Sequence, residues 1–335
     1  MCETLIHCEV DLAGLGRQEG YLRVPHSVDR SGYGWIPVPI TVLANEVGPT
    51  IVLSAGVHGD EYEGQIAIAN IARDLPLEAL RGRIICLPAL NEPATRAGRR
   101  VSPIDEGNLN RTYPGNARGT PTQMIAHYHE EVILPLADYA IDLHTGGTSG
   151  FYPPTLLRGP AHSPEEERGL ALMTEAFDLP YAWIFTTGGG CSSTARTAMG
   201  AANRKGVVNV MAELGGGGGV SPEDLAWAER GLRRVLHALG MLPGYAPDPT
   251  RGTRKLNAKG LVPCYEAGLF EPLVDVGESV AEGQPVARLH RPDTPGFAPV
   301  VVTSPLAGLV LSRRALARAE RGDALFQIAD DAPAS

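Results

Sequence analysis

Residues 50–72 read TIVLSAGVHGDEYEGQIAIANIA, and this stretch decides the fold. The apolar run from Thr50 to Ser54 is typical of a buried strand, and residues 65–72 have the composition of a helix. His58 and Glu61 lie on the turn between these two elements. An imidazole and a carboxylate three residues apart on such a turn can reach one divalent ion, with glycines allowing the backbone to fold tightly. Taken alone, the pair fits an ordinary polar loop at least as well.

From residue 50 to about residue 240, short apolar segments alternate with helical ones. This alternation predicts an α/β fold whose sheet has parallel or mixed strands and is flanked by helices. The further strand candidates are residues 83–88, 139–144, 181–185 and 207–213.

Three helices are predicted from their own N-terminal signals. Each begins with a hydroxyl residue at the N-cap, a proline next, and an acidic or amide side chain at the third helical position. The three N-cap residues are Thr120, Ser163 and Ser221. We expect the last of these helices to run to about Leu239, with Gly240 as its terminator.

A chain of 335 residues exceeds the size at which one core keeps growing, so a large and a small domain are expected. We predict a β-rich leader at 1–48, an α/β domain at 49–243, a linker at 244–259 and a small β module at 260–330. The leader strands at 20–25 and 35–43 contain prolines, which make them poor central strands.

The β module resembles the flattened barrel of biotinyl and lipoyl carrier domains, with short strands between glycine-centred turns. A carrier needs a lysine at the tip of its central hairpin, and the segment Ser304 to Gly308 has none. We therefore expect a barrel-like module that is structural or that lines the entrance to a site on the larger domain.

Composition narrows the function classes. The net charge of −9, without a dominant cluster of basic residues, argues against a nucleic-acid partner. Five scattered cysteines without a Cys-x-x-Cys pair favour a reducing compartment, and the N-terminus lacks the features of a secretory signal. No apolar run of about 18 residues exists, so we expect a cytoplasmic protein without a membrane span.

Two further polar residues each end an apolar strand and precede a glycine-rich segment. His144 ends residues 139–144, and Glu213 ends residues 207–213. The carboxyl ends of strands in an open α/β sheet share one crevice, so His144 can supply the third ligand of a metal site with an open position. Glu213 is then placed to take a proton from an attacking water and return it to a leaving amine. A structural histidine and a carboxylate that caps a helix or pairs with an arginine are the alternatives.

The segment 91–115 is long for a loop inside a compact domain, and loops of this length are often functional. It contains Arg100 and Arg111. Arginine suits the bidentate capture of a carboxylate and the stabilisation of a developing oxyanion, so both are candidates for the site. Surface salt bridges are the alternative.

Four motifs, and the order in which they follow one another along the chain, resemble those of the succinylglutamate desuccinylase/aspartoacylase family of zinc hydrolases. That family is related to the zinc carboxypeptidases. The motifs are His58-Gly59-Asp60-Glu61, Gly98-Arg99-Arg100 leading to Asn108-Leu109-Asn110-Arg111, Asp142-Leu143-His144-Thr145-Gly146-Gly147, and Glu213-Leu214-Gly215. The likeness covers residues 50 to 330. It implies a zinc-carboxypeptidase-like mixed sheet.

The resemblance also implies residue roles. His58, Glu61 and His144 would hold one zinc ion per chain, and Glu213 would act as base and then as acid. Arg100 would polarise the scissile carbonyl, although the length of its loop leaves Arg99 as an alternative. Asn110 and Arg111 would hold the substrate carboxylate.

Two stretches look like the Nα-acetyl-L-2,4-diaminobutyrate deacetylases of ectoine breakdown: Arg23 to Ser27 with Gly34 to Pro37, and Gly98 to Asp105. We therefore expect a zinc-dependent deacylase of a small acylated amino acid, most specifically that deacetylase, and leave a homo-oligomer open. Succinylglutamate desuccinylase or aspartoacylase activity, a zinc carboxypeptidase and a non-enzymatic binding module are the alternatives.

Overall fold

The computed structural model describes residues 3–184 and 194–332, apart from the side chain of Lys259. The strands are β1 (His7–Cys8), β2 (Gly16–Pro25), β3 (Trp35–Asn45), β4 (Thr50–Ala55), β5 (Gly82–Leu87), β6 (Tyr139–His144), β7 (Gly150–Arg158), β8 (Tyr181–Ile184), β9 (Val208–Gly216), β10 (Arg254–Pro263), β11 (Gly268–Pro272), β12 (Ser279–Val280), β13 (Pro285–His290), β14 (Val300–Thr303), β15 (Gly308–Arg314), β16 (Arg318–Ala319) and β17 (Ala324–Asp331). The α-helices are α1 (Glu63–Asp74), α2 (Glu92–Ala97), α3 (Pro121–Tyr128), α4 (Pro164–Phe177), α5 (Ala198–Arg204) and α6 (Pro222–Ala238). Phe185, the predicted end of one strand, lies outside the described residues.

Most strands belong to one large mixed sheet in the order β1-β2-β3-β5-β4-β6-β9-β7-β8-β10-β17-β15-β12. At its centre β5, β4, β6 and β9 run parallel, and β3 and β7 flank them in antiparallel orientation. The predicted mixed sheet flanked by helices is confirmed. No helix in the described ranges is long and apolar enough to cross a membrane.

β4 is buried on both faces, as its uninterrupted apolar sequence predicts. Ile51 and Leu53 pack into the core formed with α1, α4 and α6. Val52 points into the opposite core, formed with β2, β3, α3 and α5. Full burial of such side chains stabilises the fold by roughly 1.5–3 kcal/mol each. The two cores hold the end of β4, and hence the turn that carries His58, in a fixed position.

The predicted strands at 83–88, 139–144 and 207–213 correspond to β5, β6 and β9. One boundary differs in a way that matters for the site: β9 continues to Gly216 instead of ending at Glu213. The cause is β7, which returns antiparallel and pairs Phe151 with Gly216. Glu213 therefore lies inside a paired strand.

Prolines of the leader lie where a strand has only one neighbour, so their missing N–H groups cost no hydrogen bond of the sheet. β3 pairs with β2 along its whole length but with β5 only from Thr41 to Asn45. Pro37 and Pro39 precede that segment, so they lie where β3 has a single neighbour. The leader strands are thus joined to the sheet, and their proline-bearing half is an edge.

The three predicted helix starts are confirmed. Thr120 forms a reciprocal capping box with Gln123, and the hydroxyls of Ser163 and Ser221 accept hydrogen bonds from backbone N–H groups three residues on. Each of these caps stabilises its helix by about 1 kcal/mol. α6 ends at Ala238, and Gly240 follows with φ +74°.

The predicted linker at 244–259 is in part a strand. β10 begins at Arg254, pairs in parallel with β8 and antiparallel with β17, and so carries the large sheet into the C-terminal region. There β11, β13, β14 and β16 form a second sheet, and a separate apolar core that includes Val286, Val310 and Phe326 lies in this region. The division into four segments stays a prediction.

Candidate metal centre

The central strands bring three predicted site residues to one edge of the sheet. β4 and β9 are the two neighbours of β6. His58 follows β4 on a short turn, His144 is the last residue of β6, and Glu213 on β9 pairs with His144 in register. Parallel strands end at the same edge, which is why residues far apart in sequence meet here.

The turn after β4 folds against α2 because of its glycines. A Cβ atom on Gly59 would lie 1.9 Å from the backbone carbon of Ala94. Its N–H donates to the carbonyl of Arg99 (2.9 Å), while Gly56 has φ +66°. A larger residue at Gly59 would push the turn away from α2, and the position of His58 would change with it.

Glu61 lies between the two histidines. Its Oε1 is 2.8 Å from His58 Nδ1, and its Oε2 is 2.7 Å from His144 Nδ1. One ligand atom from each residue lies within 4.8 Å of the other two, and all three side chains are buried. Two imidazole nitrogens and a carboxylate oxygen at this spacing fit one divalent metal ion with a position left for another ligand.

The outer nitrogens of both imidazoles have oxygen partners. His144 Nε2 lies 2.8 Å from Asp142 Oδ2, and His58 Nε2 lies 3.2 Å from Asn108 Oδ1. Ser54 donates its hydroxyl hydrogen to Asp142 Oδ1 (2.8 Å). When each imidazole is neutral, a proton on its outer nitrogen leaves the Nδ1 lone pair directed at the cluster, the usual arrangement around metal-binding histidines.

Asp142 and Asn108 received no role from the sequence. A signal for Asp142 existed, because residues two apart on a strand share a face, so Asp142 and His144 had to point the same way. Asn108 lies on the segment leading to Asn110, and only the fold shows that it reaches His58.

We predict that Asp142→Asn lowers the affinity for the metal by about 10- to 100-fold, the usual cost of losing the partner of a metal-binding histidine. Competition with a chelating indicator measures this affinity. Asp138→Asn is a matched control, since Asp138 lies just before the opposite end of β6 and accepts a hydrogen bond from the Thr50 N–H (2.8 Å). Equal affinities in the two variants would contradict the assigned role.

The charges of Glu61, His58 and His144 shift one another's pKa values. Burial would raise the pKa of Glu61, but the imidazoles of His58 and His144 lower that pKa below its ordinary value. Burial opposes a charge on His144, yet Asp142 and Glu61 hold the pKa of His144 well above its ordinary value. A metal ion must displace the extra proton that this raised pKa keeps on His144, so metal affinity should rise with pH.

Glu213 is half-buried and lines the same cavity, whose volume is about 540 Å³. Its Oε2 has no hydrogen-bond partner among the described residues. Burial, together with the negative charge of Glu61, raises the pKa of Glu213 to about 8. A divalent ion at the cluster would lower this pKa and keep the carboxylate ionised.

The two neighbouring arginines separate in the structure. Arg100 lines the cavity, is about half-exposed, and places Nη1 3.4 Å from Glu61 Oε1. Arg99 instead pairs with Glu106 (3.0 Å). Of the two, Arg100 is therefore the one placed to reach a ligand in the cavity.

Asn110 and Arg111 also line the cavity, from a short 3₁₀ turn at Leu109–Arg111. Asn110 Oδ1 accepts a hydrogen bond from the Ala198 N–H (2.9 Å), which fixes the amide and leaves its NH₂ group as the donor for a ligand. Arg111 Nη1 donates to the carbonyl of Asn110 (2.7 Å).

The C-terminal region supplies part of the cavity wall, through residues that the sequence did not single out. They are Ser312, Arg313, Arg314, Asp323, Ala324, Leu325 and Phe326. β15 reaches this place by pairing Arg313 with Phe151 and Arg314 with Gly150 on β7. Of the two roles considered for this region, contact with the site matches this geometry.

Known proteins match this chain over nearly its whole length. The chain is 37% identical over 328 residues to N-alpha-acetyl-L-2,4-diaminobutyric acid deacetylase of Halomonas elongata, covering 97% of this chain and 95% of that protein. A succinylglutamate desuccinylase/aspartoacylase structure from Rhodobacter sphaeroides has a TM-score of 0.92 at 37% identity, covering 98% of this chain and 99% of its own.

A product-bound structure of the ectoine utilization protein EutE from Ruegeria pomeroyi also has a TM-score of 0.92, at 36% identity over 98% of this chain and 100% of its own. Residues 47–239 match the model of the succinylglutamate desuccinylase/aspartoacylase catalytic domain, which confirms the family predicted from the motifs. This chain belongs to the succinylglutamate desuccinylase/aspartoacylase family.

Proposed function

We propose that this chain is a zinc-dependent deacetylase that converts Nα-acetyl-L-2,4-diaminobutyrate to diaminobutyrate and acetate, as a step of ectoine degradation. The observation that carries the proposal is the placement of Glu213. Its unpartnered carboxyl oxygen is buried in the cavity that also contains the cluster of His58, Glu61 and His144. A metal cluster and a base in one cavity are the requirements of metal-assisted amide hydrolysis.

The cluster would hold one zinc ion per chain through His58 Nδ1, a Glu61 oxygen and His144 Nδ1. Zinc held there would lower the pKa of the attacking water to about 7 and polarise the acyl carbonyl. Asp142 and Asn108 orient the two imidazoles through contacts with their Nε2 atoms. The burial of the cluster excludes bulk water and strengthens these interactions.

The chain's own groups supply the rest of the reaction. Glu213 takes a proton from the attacking water and then delivers it to the departing α-amine. Arg100 donates to the acyl oxygen as negative charge develops on it. The Asn110 amide and Arg111 hold the α-carboxylate of the substrate, which places its acyl group toward the cluster.

The deacetylase from Halomonas elongata supports the choice of substrate, because the identity extends over nearly both chains. We also propose that the C-terminal module is a flattened barrel related to carrier domains and used as a wall of the site. Its four-stranded sheet, the strands that it adds to the large sheet and its separate core support this proposal.

The test is a substrate panel of Nα-acetyl-L-2,4-diaminobutyrate, Nα-succinylglutamate, N-acetylaspartate and a dipeptide, combined with elemental analysis. We expect one zinc per chain and the highest kcat/KM on the acetyl-diaminobutyrate. A higher kcat/KM on one of the other compounds would reject the substrate. A protein that binds no divalent ion, even after reconstitution, would reject the mechanism.

A further inference from the structure

The acidic side chains that line the cavity fall into two groups. Among the described residues they are Glu61, Glu213 and Asp323. Glu61 belongs to the metal cluster and Glu213 is the proposed base, so both are committed to the reaction. Asp323, which precedes β17 in the C-terminal module, is left without a function.

Asp323 is held in a fixed orientation. Its Oδ2 accepts a hydrogen bond from the Glu320 N–H (2.8 Å) and lies 3.1 Å from Arg314 Nη2. Its own N–H donates to the Glu320 carbonyl (3.1 Å), which closes a tight turn. Oδ1 takes part in none of these contacts. A carboxylate oxygen fixed in this way at a cavity wall is suited to bind a cationic group.

The two arginines beside it are already engaged. Arg314 donates through Nε to the carbonyl of Arg318 (3.1 Å) as well as facing Asp323. Arg313 donates to Asp275 Oδ1 (3.0 Å) and to the carbonyl of Arg314 (3.2 Å). Because both arginines already bind acceptors, the charged group that this wall offers to a ligand, beside the Ser312 hydroxyl, is the Asp323 carboxylate. This disfavours an acidic substrate side chain.

We propose that Asp323 binds the side-chain ammonium of the substrate and thereby selects diaminobutyrate over acidic and apolar amino acids. The inference rests on the proposed function and extends it to the side-chain subsite. Arg100 would donate to the acyl oxygen of the substrate, and Arg111 would bind its carboxylate. Asp323 would take the one cation, so each charged group of the substrate meets an opposite charge.

The experiment compares Nα-acetyl-L-2,4-diaminobutyrate with Nα-acetyl-L-2-aminobutyrate, which has the same carbon chain but no ammonium group. We expect Asp323→Asn to lower kcat/KM on the first compound by about 10- to 100-fold, the range for loss of a charge-assisted hydrogen bond. The rate on the second compound should not change. Asp323→Glu keeps the charge and should keep most of the preference for the ammonium compound.

Asp331→Asn is the matched control. It removes a carboxylate of the same region that pairs with Arg254, and neither residue lines the cavity. We expect it to behave as the wild type on both compounds. Turnover of the aminobutyrate compound also reports whether each variant folds.

Two outcomes overturn the inference alone: a preference for the ammonium compound that survives in Asp323→Asn, or an equal loss on both compounds. A wild-type enzyme that is inert toward acetyl-diaminobutyrate but hydrolyses N-acetylaspartate overturns the proposed function as well. The two failures are therefore separated by the wild-type measurement.

Discussion

Glu213→Gln should bind a full equivalent of zinc and lose about 100- to 10,000-fold in kcat, the usual contribution of a positioned acid or base. Glutamine keeps the shape of the side chain but cannot accept the proton of the attacking water. Zinc content follows from elemental analysis, and kcat follows from acetate release at saturating Nα-acetyl-L-2,4-diaminobutyrate. Thermal unfolding of the same samples shows whether the fold is retained.

Loss of zinc or retention of kcat in Glu213→Gln would contradict the assignment of Glu213 as the base. A variant that loses zinc would identify Glu213 as a metal ligand, and a variant with wild-type turnover would show that the base lies elsewhere. The cavity geometry predicts neither, because the metal cluster is complete with His58, Glu61 and His144.

The dependence of wild-type kcat/KM on pH tests the role of Glu213 independently. Only the ionised form of Glu213 can take a proton, so kcat/KM should rise with pH through the pKa of this carboxyl group. Burial and Glu61 raise that pKa to about 8 for the side chains alone. Zinc at the cluster lowers it, so the acid limb of the zinc enzyme should lie below pH 8.

The sequence predicted those features whose signals are local. The caps at Ser163 and Ser221 depend on three neighbouring residues, and β6 is visible in a short, largely apolar segment that is followed by Gly146 and Gly147. The order of the motifs predicted the family, which the match over residues 47–239 confirms.

Features that depend on distant partners were not visible in the sequence. The extension of β9 past Glu213 needs β7, and the start of β10 at Arg254 needs β8 and β17. The place of Asp323 at the cavity arises because β15 pairs with β7 across more than 150 residues of sequence. No local pattern encodes such pairings, since each requires two segments that meet only in the folded chain.

Glu61→Gln should lower zinc affinity more than about 100-fold, beyond the loss expected when an outer partner of a ligand is removed. Its carboxylate faces both imidazoles, at 2.8 Å and 2.7 Å, and its charge offsets the burial of the ion. An amide keeps the volume but presents one oxygen and no charge. We therefore expect substoichiometric zinc and, at limiting zinc, a loss of turnover of about 1,000-fold or more.

Glu63→Gln provides the matched control for this prediction, because Glu63 lies two residues away and is equally buried. Its Oε1 accepts a hydrogen bond from the Ser221 N–H (3.0 Å), which a glutamine oxygen can also accept. Burial raises the pKa of Glu63, whereas the imidazoles of His58 and His144 lower the pKa of Glu61. Wild-type zinc content in Glu63→Gln together with its loss in Glu61→Gln would assign the metal to Glu61. Loss of zinc in both variants would show instead that the turn after β4 tolerates no change, and the ligand assignment would then have no support from these variants.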